Sequence, residues 1–126
     1  MTELQTIERV PSGVPSLDLV LNGGFPRGGI HVLQGPPGTG KTTLANQICY
    51  HHAASGGRAL YVTLLAESID RMLLHLGTMR FFDASRLPDQ VSYISGFGAL
   101  QGEGLPGLVT LLRREVAAVR ELIYAD

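Results

Sequence analysis

Nine consecutive residues constrain this chain more than anything else in it: Gly35-Pro36-Pro37-Gly38-Thr39-Gly40-Lys41-Thr42-Thr43. They have the spacing G-x-x-x-x-G-K-[ST] of a phosphate-binding loop. An apolar, strand-like run at residues 30–33 precedes the loop, and a helix-forming segment follows it. Glycines let the backbone turn so that successive N–H groups converge on phosphate oxygens. A helix beginning near Lys41 adds unpaired N–H donors and the positive end of its dipole. Lys41, the only lysine of the chain, then reaches the β- and γ-phosphates, and the Thr42 hydroxyl takes a place on Mg²⁺. A Gly/Pro-rich turn with a chance lysine would satisfy the spacing but not the strand–loop–helix context. The reading is a nucleoside triphosphate site made of Gly35, Pro36, Pro37, Gly38, Thr39, Gly40, Lys41, Thr42 and Thr43.

Length and charge narrow what surrounds this loop. With 126 residues the chain suffices for one domain, yet is short for a sheet with helices on both faces. Its net charge of −1 gives no general attraction to nucleic acid or to anionic membrane. The single Cys49 excludes an intramolecular disulfide and fits a reducing, cytoplasmic setting. Apolar runs are too short to span a membrane.

Residues 1–12 read as an irregular lead-in, since Pro11 opposes a helix. Ser16 is placed to cap a short helix over 17–21, which Asn22-Gly23 would stop in a left-handed turn. Residues 25–29 turn the chain into a strand at 30–33. From Lys41 to about Ala54 a helix is predicted, with Leu44, Ala45, Ile48 and Cys49 on one stripe. His51 and His52 are expected at its solvated end, not as metal ligands. Residues 59–65 lack strict alternation and predict a strand buried on both faces. A helix follows with Ile69, Met72, Leu73 and Leu76 inward. Residues 91–95 form a third strand. The Gly-rich stretch 96–104 reads as a loop, and Pro106 opens a last helix with Leu108, Leu111, Leu112, Val116 and Val119 on its buried face. Residues 122–126 are an apolar run ending in an acid.

This order of strands and helices predicts an α/β fold, a mainly parallel sheet with helices on both faces. Ligands of such sheets bind at the carboxyl ends of the strands. The phosphate-binding loop, Glu67 and Asp126 all fall at such ends.

The lead-in Ser12-Gly13-Val14-Pro15, Leu17-Asp18, Leu21, Gly23-Gly24, Pro26-Arg27-Gly28, followed by Gly35 to Thr43, resembles the RecA superfamily of ATPases, in its KaiC-like and RadA-like branch. The resemblance implies a RecA-like P-loop core, with residues 1–29 as lead-in and 30–126 as a core truncated after the Walker B strand: an N-terminal part of an ATPase domain. It implies ATP and Mg²⁺ as ligands, and hydrolysis to ADP and phosphate in the full-length parent. Lys41 would neutralise phosphate charge. Glu67 would polarise the attacking water, although Ala66 stands where the family more often has a second glutamate. Thr42 and Asp126 would hold the metal, a chance terminal acid being the alternative for Asp126. A ring-forming homo-oligomer is the implied assembly. A DNA-dependent recombinase is the second possibility, disfavoured by the near-neutral charge and the lack of a basic stripe with interleaved aromatics. A non-catalytic nucleotide-binding interaction module is the third.

Overall fold

The computed structural model describes residues 7–65 and 68–116, and the backbone of Leu122–Ala125. In chain order the elements are β1 (Arg9–Val10), α1 (Pro15–Val20), β2 (Phe25–Pro26), α2 (Lys41–Ala54), β3 (Ala59–Thr63), α3 (Ile69–Leu76), β4 (Val91–Ser95), α4 (Phe97–Val116) and β5 (Leu122–Ala125), with a 3-10 turn at Ala84–Arg86. The fold is α/β with a parallel main sheet, as the sequence predicts.

The strand β3 is the axis of the main sheet. It lies between β4 and β5, parallel to both, with Tyr61 opposite Tyr93 on one side and Tyr124 on the other. Every residue of β3 is buried, which explains a β-rich run without polar alternation. Successive side chains leave opposite faces of a strand. Ala59 and Tyr61 therefore enter the cluster built by Ala45, Cys49, Tyr50 and Ala53 of α2, against which Met72 of α3 packs. Leu60 and Val62 enter a second cluster with Leu112 of α4. Helices thus cover both faces. Each fully buried Leu or Val contributes about 1.5–3 kcal/mol relative to exposure.

The helix α2 spans the predicted residues, but it is buried over more than a stripe: Ala45, Asn46, Ile48, Cys49, Tyr50, His52 and Ala53 are all inside. Tyr50 sits against Phe81 and Phe82, with ring centroids 5.8 and 5.4 Å away. His52 corrects the expectation of a solvated helix end, being only 7% exposed. It stands three and four residues after Cys49 and Ile48, on the face they bury. Gly56 (φ 93°) then ends the helix, and the Gly57 amide donates to the His52 carbonyl at 3.1 Å, as left-handed helix ends do.

Three further expectations need correction. Residues 30–33 form no strand: Ile30 and Val32 are 97% and 83% exposed, and only Leu33 packs against the α2-side cluster. Strand preference needs a paired neighbour and a covered face, and among the described residues this run has neither. The short helix α1 begins at Pro15 after Val14, not after a Ser16 cap; proline is pre-shaped for a first helical position. Finally, the Gly-rich stretch is helical from Phe97, broken only at Gly104 (φ 68°, ψ −155°), where α4 kinks. A side chain on Gly107 would lie 2.6 Å from the Glu103 Cβ and 2.9 Å from the Ala99 carbonyl oxygen. Glycine there serves close packing across the kink, not mobility. Within α4, Leu108 is buried and Leu111 and Leu112 half-buried, whereas Val119 lies outside the described residues.

Candidate phosphate-binding site

Residues 35–40 connect the exposed 30–33 run to the first turn of α2. Gly38 and Gly40 have φ of 80° and 91°, and a side chain at either would meet nothing within 4 Å. It is therefore conformation, not space, that requires glycine at these two positions. The loop is braced through its own carbonyls. The Thr39 hydroxyl donates to the Pro36 oxygen at 2.7 Å, and the Lys41 ammonium donates to the Gly35 and Pro36 oxygens at 2.6 and 2.9 Å.

Gly40 precedes α2 in the left-handed conformation and offers no side-chain cap. Among the described residues, the amides of Gly40, Lys41, Thr42 and Thr43 have no hydrogen-bond acceptor. Four unpaired amides and the positive end of a helix dipole are accordingly gathered in a single turn, beside an ammonium group folded back onto the Gly35 and Pro36 carbonyls. Such an array suits a multiply charged oxyanion such as a triphosphate, for which Lys41 would exchange its two carbonyls for phosphate oxygens.

Thr42 is exposed and borders a cleft of about 400 Å³ that Tyr61, Thr63, Ser68, Arg71 and His75 also line. This cleft opens at the carboxyl end of β3. The Thr63 hydroxyl accepts a hydrogen bond from the Leu65 amide at 3.3 Å, which bends the chain after the strand. Arg71 and His75 stand one turn apart on α3 and both line this cleft. Among the described residues no three His, Cys, Asp or Glu side chains are grouped to hold a metal ion. Mg²⁺ there would be bound through Thr42, phosphate oxygens and retained waters, its usual manner with nucleotides. Glu67 and Asp126 lie outside the described residues.

One component is invisible to motif reading. Asn46, fully buried in α2, donates from Nδ2 to the Thr42 carbonyl at 2.8 Å and accepts at Oδ1 from the Tyr93 hydroxyl at 2.6 Å. The hydroxyls of Tyr93 and Tyr50 are 3.2 Å apart. A phenol has one proton, and Tyr93 gives its proton over the shorter distance, so Tyr50 supplies the proton between the two phenols. Burial pushes the Tyr50 and Tyr93 hydroxyls above their ordinary value, so both are protonated donors at neutral pH. The only sequence signal was an asparagine inside a helix, where it is a poor helix former.

Comparisons with known proteins bear on the family and the fold. The model of the KaiC family of ATPases matches residues 10–79. The DNA repair protein RadA of Mycobacterium tuberculosis is 47% identical over 53 residues, covering 42% of this chain and 11% of RadA. A UPF0273 protein of Pyrobaculum aerophilum is 38% identical over 74 residues, covering 57% of this chain and 26% of that protein. The crystal structure of a KaiC-like protein from Pyrococcus horikoshii superimposes with a TM-score of 0.77 at 29% identity, over 96% of this chain and 56% of that one. The chain thus spans about a tenth to a quarter of these two curated relatives.

Proposed function

The chain belongs to the KaiC family of ATPases, and from that membership we propose that residues 35–43 bind ATP with Mg²⁺ for hydrolysis to ADP and phosphate. The observation that carries this reading is the position of Lys41: its ammonium is held within a loop whose Gly38 and Gly40 are left-handed and whose following amides are unpaired among the described residues. Gly35 to Thr43 would wrap the phosphates, and Lys41 would balance charge on the β- and γ-groups. The Thr42 hydroxyl would ligate Mg²⁺, which when bound neutralises charge developing on the transferred phosphoryl group. We assign to Glu67 the orientation of the attacking water and to Asp126 the outer contact with the metal, roles that rest on the family resemblance. A nucleotide-filled ring of copies is the assembly proposed for the whole protein.

Calorimetric titration with Mg·ATP tests the binding step. Wild type should bind, and Lys41→Ala should lose at least about tenfold in affinity, or 1.4 kcal/mol. Equal binding by the two overturns the assignment. Phosphate release compared between wild type and Glu67→Gln tests the hydrolytic role.

A further inference from the structure

The Asn46 side chain is costly where it stands. Asparagine weakens a helix interior, and a buried amide costs free energy unless its hydrogen bonds are made. Here they are made in one direction: Tyr50 to Tyr93, Tyr93 to Asn46, and Asn46 to the carbonyl of Thr42. That carbonyl already serves the backbone ladder of α2, since it lies four residues before Asn46. The added side-chain donor therefore fixes the peptide after Thr42, whose N–H is that of Thr43. Tyr93 is anchored in turn, in register with Tyr61 on β3 and with ring centroids 5.3 Å apart. A continuous path runs from the centre of the sheet to the residue that opens the cleft.

We propose that Asn46, held by Tyr93, is a positioning residue that sets the orientation of Thr42 and so governs the Mg²⁺-dependent part of nucleotide binding. The proposal rests on the nucleotide reading above. Asn46 and Tyr93 touch neither phosphate nor metal; they act through the first turn of α2. Chains of hydrogen bonds polarise one another, so the loss of the Tyr93 hydroxyl is transmitted to Thr42 although the two are not in contact.

The test uses the affinity for ATP measured with Mg²⁺ and again with EDTA, in wild type, Tyr93→Phe, Asn46→Leu and Asn46→Asp. Tyr93→Phe keeps the ring and removes only the hydroxyl. Asn46→Leu fills similar volume without polar atoms. Asn46→Asp keeps the acceptor for Tyr93 and loses the donor to Thr42. The ratio of the two affinities should fall about three- to tenfold in Tyr93→Phe and Asn46→Leu, while binding with EDTA changes less than twofold. Asn46→Asp should behave as Asn46→Leu. In the ligand-free protein, the amide resonances of Thr42 and Thr43 should shift in Tyr93→Phe. A wild-type ratio in a folded Tyr93→Phe, with those resonances unmoved, overturns the proposal even if the Asn46 variants fail to fold. A wild type that binds no ATP overturns the nucleotide reading, and this proposal with it.

Discussion

The carboxylate of Asp18 accepts two hydrogen bonds from one residue, Ser12: from its amide at 2.8 Å and from its hydroxyl at 2.7 Å. The Ser12 hydroxyl also accepts from the Val14 amide at 3.0 Å, which closes the turn into α1. Two members of the lead-in pattern thus form one hydrogen-bonded knot.

This knot should make stability depend on acid. Partial desolvation opposes ionisation of Asp18, but the hydrogen bonds from Ser12 and Gly13 and the nearby His51 outweigh it and lower its pKa below 3.8. A carboxyl depressed in the folded state stabilises fully above its unfolded value and loses that contribution as pH falls through the folded one. Asp18→Asn should cost about 1 kcal/mol at pH 7, a charged hydrogen bond discounted for its solvent contact. As pH falls below about 3.9, the ordinary Asp value, the difference should shrink. Urea unfolding above and below that value measures both; a difference that grows on acidification contradicts the argument.

Cys49 should be chemically silent in the native protein. It is 1% exposed, and burial pushes its thiol up to about 12. Thiolate is the reactive form. Titration with Ellman's reagent at pH 8 should show almost no reaction until urea unfolds the chain. Rapid native labelling would place Cys49 outside the cluster that it forms with Tyr61.

Two glycines should respond differently to alanine. At Gly40 a methyl group meets nothing within 4 Å, so only the left-handed φ of 91° is penalised, about 1–2 kcal/mol. At Gly24 the methyl carbon would lie 2.3 Å from the Val10 carbonyl oxygen. Backbone must move there, and Gly24→Ala should cost more than about 2 kcal/mol. Equal denaturation midpoints for the two variants would count against the β1–β2 pairing, in which Val10 sits opposite Phe25.

Replacing Ile30 or Val32 by Thr should leave stability within about 0.5 kcal/mol, because both are exposed. Leu60→Ala should cost about 2–5 kcal/mol, because Leu60 is fully buried in β3. Chemical denaturation compares them directly. A large loss from Val32→Thr would mean that the 30–33 run is paired after all.

Most of the scaffold could be read from residue pattern, for identifiable reasons. The α2 and β4 segments were legible because Gly or Ser marks their ends, and β3 because it is a continuous β-rich apolar run; β3 stops two residues short because Thr63 and Leu65 bend the chain. Residues 30–33 misled because apolarity reports a wish for burial, not a partner. The 97–103 segment misled because Gly98 and Gly102 suggest a loop, whereas the packing of Gly107 against Ala99 and Glu103 favours two abutting helical pieces. The phosphate loop was legible because its residues are contiguous. The Tyr93–Asn46 bond was not, since it joins positions 47 residues apart that only the folded sheet brings together.

The central position of β3 also has a consequence in time. Ala59 pairs with Val91 on one side and with Leu122 on the other. The second closure spans roughly twice the chain of the first, which adds only about 0.6 kcal/mol of loop entropy. During ribosomal synthesis, however, the two events cannot coincide. Once residues 91–95 have emerged and zipped onto β3, the opposite edge of β3 stays open until residues 122–125 follow. For that interval a strand whose every residue is buried in the native fold presents unpaired N–H and C=O groups, and a neighbouring nascent chain can add there instead.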